Sequence, residues 1–142
     1  GYRAMVVLQG IGAILIAIGL GQETDASSLG WLYVYGAVRL LISGFMTDRE
    51  PESLRSLTRS GRIHMLLAGT AFASIAVAAS HLDWTGKPAV LGPLGWVVTA
   101  TAIATGTALV VPPIRRVALG LIERMHYAAA ITWLIAVSAS II

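Results

Sequence analysis

Residues 63–82 read IHMLLAGTAFASIAVAASHL, without a single Asp, Glu, Lys or Arg. A helix rises about 1.5 Å per residue, so a run of this length reaches about 30 Å, the depth of a bilayer's hydrocarbon core. The run is also rich in small residues: Ala68, Gly69, Ala71, Ala73, Ala76 and Ala79. Small side chains let helices approach closely where no hydrophobic force drives them together.

Working outward, four more apolar runs appear, at 4–20, 31–46, 94–111 and 117–142. Charges interrupt two of them: Arg39 alone in the second, and Glu123 with Arg124 near the start of the last. In lipid every backbone N–H and C=O needs an internal partner, so only helices and closed barrels span. Barrel strands alternate over about ten residues, whereas these runs are continuously apolar. The expected fold is therefore all-α, a single domain of about five transmembrane helices with short loops. Breakers fall between or at the ends of the runs, at Pro51, Pro88, Pro93, Pro112 and Pro113. Ser53 and Ser56 allow a short interfacial helix through Leu54 and Leu57. Gly10-Ile11-Gly12 lies inside a span and reads as a packing feature.

Composition agrees. Of 142 residues, 56% are hydrophobic and 12% charged, against about 25% charged in ordinary globular proteins. The net charge of +3 is held in short clusters between apolar runs, which is a topology signal and not a nucleic-acid-binding face. The chain has no cysteine, which excludes disulfides, thiol chemistry and Cys-based metal sites. It opens on Gly1 without a Met, so a processed end or a longer parent chain is expected. The first run is not followed by a small-residue cleavage site and does not read as a signal peptide.

Lys and Arg set the expected orientation. Arg49, Arg55, Arg59 and Arg62 crowd one loop, Arg115 and Arg116 the turn at 112–116, and Arg3 precedes the first run; the opposite side has only Lys87. The 47–62 and 112–116 loops are thus expected on the cytoplasmic face of the cell's inner membrane, with the C-terminus outside. Trp31, Tyr33, Tyr35, Trp84 and Trp96 are expected as an outer interfacial belt. Trp133, at mid-depth, is expected in the core or against lipid.

The intramembrane polar residues are the candidates for function. A charge at a helix centre costs about 2.5–3.5 kcal/mol on insertion scales, so Arg39 is a functional candidate by default. Its side chain is expected to lean outward past Tyr35. It is too far from Asp48, about 13 Å along a helix, to pair with it. Snorkelling, or a contact to a neighbouring helix or subunit, is the favoured reading, and a substrate or ion path the other. A second group comprises Asp48, His64, Glu123, Arg124 and His126, all expected at cytoplasmic helix ends. Carboxylates and imidazoles together suit metal binding or acid–base work, yet no tight ligand motif is present. Asp48, Arg62, His64 and Arg124 as an interfacial network is the plainer reading, with no metal. His81 and Asp83 read as a solvated pair. No phosphate-binding loop or nucleophile elbow is visible.

Three segments carry a family likeness. Gly44-Phe45-Met46-Thr47-Asp48 resembles a Gly-x-Phe-x-x-Asp segment that closes a helix. Gly61-Arg62-Ile63-His64, followed by Ala71-Phe72, resembles a Gly-x-x-His helix opening. Gly120-Leu121-Ile122-Glu123-Arg124, followed by Trp133, resembles the start of a final helix. These are features of a bacterial membrane-protein family catalogued as domain of unknown function 998, and the likeness covers nearly the whole chain. It implies a helical bundle with recurring polar positions at Asp48, His64 and Arg124, usually with six or more spans, so that the first is expected to be missing here. It implies no established activity.

The leading expectation is a non-catalytic accessory or structural subunit that packs against other membrane proteins or self-associates. It needs no cofactor, and bound lipids are expected. The alternative is a small membrane enzyme or a lipid- or ion-handling protein that uses Asp48, His64, Glu123 and His126.

Overall fold

The computed structural model describes residues 2–21, 26–45 and 57–141. Asp48, the Ser53–Ser56 segment, Glu23 and Asp25 lie outside the described residues. The elements are α1 (Tyr2–Leu20), α2 (Ala26–Ile42), α3 (Arg59–His81), α4 (Leu91–Val110) and α5 (Pro112–Ala139). Among the described residues there is no strand. The segments 3–20, Arg59–His81 and Leu91–Val110 are long and apolar enough to cross a membrane, and Leu29–Ile42 is a shorter apolar helix. The chain is an all-α membrane bundle.

Helix ends follow local chemistry more than hydropathy. α3 starts at Arg59, ahead of the apolar run, because Thr58 caps it: its Oγ1 accepts from Gly61 N at 3.0 Å. α2 begins at Ala26 and stops at Ile42, earlier at both ends than the run at 31–46. Its end tightens into i→i+3 bonds, Gly44 N to Leu41 O at 3.0 Å and Phe45 N to Ile42 O at 3.1 Å. Arg39 consequently lies in the last turn of α2 and not near its middle. α4 and α5 meet at one extended residue, Val111, with Pro112 and Pro113 opening α5, where a missing N–H costs nothing.

Consecutive helices pack on one another, and α1 also touches α5. Glycines make two of these crossings possible. A Cβ on Gly10 would stand 2.9 Å from Gly36 O, and one on Gly36 would stand 2.8 Å from Gly10 O, so α1 and α2 touch backbone to backbone. A Cβ on Gly95 would stand 2.5 Å from Ala79 O at the α3–α4 crossing. There Thr99 Oγ1 also donates across to Ala76 O at 3.3 Å.

The interior draws on every helix: Ala13 and Ala17, Leu32 and Tyr35, Ala71 and Ile75, Leu91 and Val98, Trp133 and Val137 are all buried. Trp133 is a core residue, with its ring 5.7 Å from that of Trp84 in a T-shaped contact. The exterior is apolar as well: Leu66 is 74% exposed and Trp96 69%. An outward apolar face of this kind suits lipid and not water. Of the residues expected in an aromatic belt, Trp31, Tyr33 and Trp96 lie exposed, Trp84 is partly buried against the core, and Tyr35 is buried beside Arg39.

Candidate buried cation site

Arg39 is fully buried. Its guanidinium neither snorkels outward nor points at lipid. Nη2 donates to Gln9 Oε1 of α1. Its Cζ lies 5.0 Å from the ring centroid of Tyr127 on α5 and 6.0 Å from that of Tyr35, one turn earlier on α2. A desolvated cation over an aromatic face gains about 2 kcal/mol, so the rings offset much of the cost of burying the charge. They do not use its hydrogens. Nε and Nη1 of Arg39, and Nε2 of Gln9, are buried with no hydrogen-bond acceptor among the described residues.

Polar groups continue from this point across the bundle. Tyr127 donates its hydroxyl to Glu123 Oε1 at 2.9 Å, an i, i+4 pair on α5. His126, next along α5, is buried, with Nδ1 3.1 Å from Thr101 Oγ1 of α4. The same Thr101 Oγ1 lies 2.8 and 3.0 Å from the carbonyl oxygens of Val97 and Val98. Phe72 of α3 packs edge-on against both His126 and Tyr127, with centroids 4.5 and 5.7 Å away. Gln9, Phe72, Thr101 and Tyr127 all sit near the middle of their helices. Arg39 reaches this mid-helix group from the last turn of α2.

The other candidate residues are placed apart from it. His64 is buried near the start of α3, and its Nδ1 lies 3.2 Å from Phe45 O. A carbonyl only accepts, so His64 donates and ties the end of α2 to α3. Phe72, which touches His126, is eight residues further along α3, about 12 Å by the helical rise, so the two imidazoles are at different depths. Arg62 Nε donates to Leu57 O at 3.1 Å, and Arg124 is exposed. Among the described residues no three His, Cys, Asp or Glu side chains gather as a metal site would need. Outside the spans, Asp83 accepts from both N and Oγ1 of Thr85, at 2.9 and 2.6 Å. These bonds hold its carboxyl below the usual carboxylate range. His81 instead meets Ser80 Oγ at 3.1 Å.

Sequence reasoning found Arg39, Glu123 and His126 but missed Gln9, Tyr127, Thr101 and Phe72 as their neighbours. One signal was available: Gln9 is the only amide side chain in an otherwise apolar first run.

Fold and site together define a small multi-pass helical membrane protein with a buried cation at its centre. The family described as "Protein of unknown function (DUF998)" matches residues 2–140, and the chain belongs to it. No curated protein and no solved structure matches the chain.

Proposed function

We propose that this protein handles an ion or a lipid at a site inside its own bundle, centred on Arg39, in the cytoplasmic membrane. The observation that carries the reading is a fully buried guanidinium with two nitrogens lacking acceptors. A buried charge without its full set of partners costs several kcal/mol. A purely structural bundle gains nothing from keeping one, whereas a binding site does. Arg39 also meets Gln9, Tyr35 and Tyr127 within its own chain, so it no longer argues for a neighbouring subunit. The carboxylate and imidazole of Glu123 and His126 belong to the same cluster and are the groups that would move a proton there.

One observation favours the accessory-subunit reading. Gly69 and Ala73 face outward on α3, and a Cβ on Gly69 would meet nothing within 4 Å. Small residues four apart on an open face suit a second transmembrane helix. Purification of tagged protein in mild detergent, with native mass spectrometry, separates the two. The ion- or lipid-handling reading expects a single chain whose thermal unfolding responds to small ligands and loses that response in Arg39→Met. Recovery of a stoichiometric protein complex that Gly69→Leu breaks and Arg39→Met leaves intact would favour the subunit instead.

A further inference from the structure

We infer that the site at Arg39 and Gln9 binds one singly charged anionic group. The inference rests on the reading above and names its ligand. The unmet hydrogen-bonding capacity there is entirely of one kind. Nε and Nη1 of Arg39 are N–H donors, and so is Nε2 of Gln9. Gln9 is oriented by its own contact: Oε1 accepts from Arg39, which leaves the amide NH2 as the remaining free group. Three buried donors on two adjoining side chains, one of them cationic, ask for an acceptor that carries negative charge. A neutral carbonyl would fill the geometry and leave the charge. A metal cation would meet only donors.

The charge count limits the ligand to one negative charge. Arg39 is the only Lys or Arg among the described residues of the cluster, so one negative charge at its donors balances it, and Glu123 on the far side of Tyr127 makes a second one costlier. A doubly charged anion would leave a net negative charge in a low-dielectric interior. Depth favours a small group. The contacts of Arg39 lie near the middle of α1 and α5, and the guanidinium has no exposed surface. Chloride, nitrate or a short carboxylate meets these limits. A phospholipid phosphate offers the same chemistry but belongs at the interface, so the two sources are distinguishable.

The test follows thermal unfolding of the purified protein in an uncharged detergent, starting in gluconate. Chloride, nitrate or acetate replaces gluconate at constant ionic strength, which separates binding from screening. The expected result is a saturable rise in the midpoint, half-complete in the millimolar range. Gln9→Leu is expected to shift the half-effect concentration upward about tenfold, the equivalent of one lost hydrogen bond, and Arg39→Met to abolish the response. If Arg39→Met does not fold, the Gln9→Leu shift alone decides, since that variant keeps the charge. In parallel, nanodiscs of phosphatidylglycerol and of phosphatidylcholine are compared without added chloride. An Arg39-dependent midpoint rise confined to phosphatidylglycerol assigns the anionic group to a lipid headgroup. Equal responses in wild type and Gln9→Leu overturn the inference. A rise caused only by cations or neutral lipids, and lost in Arg39→Met, also overturns it but leaves the proposed function standing. No response of the wild type to any of these ligands overturns both.

Discussion

Arg39 and Gln9 make opposite contributions to stability, and substitution separates them. Gln9→Leu removes the one acceptor that Arg39 Nη2 has and leaves a buried cation worse paired. We expect a loss of about 1–3 kcal/mol, measured as reversible unfolding in mixed micelles. Arg39→Met removes the charge itself and keeps a long side chain between the rings of Tyr35 and Tyr127. Replacing buried charge with well-packed apolar atoms often gains about 1–4 kcal/mol, and we expect a gain here in gluconate. Such a gain would show that Arg39 is not kept for stability. Arg39 was visible in the sequence because a charge stands out in an apolar run. Its partners were harder to see: Gln9 stands out as a polar side chain in an apolar run, but it and Tyr127 lie far from Arg39 in the chain. Only the close approach of α1, α2 and α5 makes them neighbours. His64 and His126 were grouped on an expected shared depth at helix ends, but His64 stands about 12 Å along α3 from the Phe72 that touches His126.

At the scale of the elements, the glycine crossings are the sensitive points. Gly95→Val forces a side chain into Ala79 O, 2.5 Å from where its Cβ would stand. Overpacking of this kind costs about 1–3 kcal/mol, and the yield of folded protein after detergent extraction is expected to fall. Gly69→Ala is the matched control: its Cβ enters open space, and the helix gains up to about 1 kcal/mol of propensity. The α3–α4 turn has its own signature. The folded Asp83 carboxyl titrates below its unfolded value because it accepts two bonds from Thr85. Its contribution is present above the unfolded pKa of about 3.9 and is lost as pH falls through the lower folded value. Asp83→Asn is therefore expected to flatten the acid limb of the unfolding midpoint below about pH 4 while leaving it nearly unchanged at pH 7. Helix number and rough placement were legible because hydropathy reports the solvent a segment lives in. The ends were less so. Thr58 and the Ser43-Gly44 turn set them by hydrogen bonding, which an apolar-run reading does not weigh.

For the whole molecule, the arginine bias proposes an orientation, and the lack of native cysteine makes it simple to check. A single Ala89→Cys is expected to react with a membrane-impermeant maleimide in intact cells. A single Arg59→Cys is expected to react only after the membrane is opened. The reverse pattern would invert the proposed topology. The packing order also bears on how the protein is made. Synthesis runs from the N-terminus, and most contacts join helices adjacent in the chain. Each new helix can therefore dock on its predecessor as it leaves the translocon. The arginine is the exception. It meets Gln9 and Tyr35 as soon as α2 is in place, but Tyr127 arrives with the last helix. Until then a charged side chain stands in a half-built bundle with one of its aromatic covers still on the ribosome. A chain stopped before α5 therefore leaves uncovered, on the Tyr127 side, a cation that the finished protein hides.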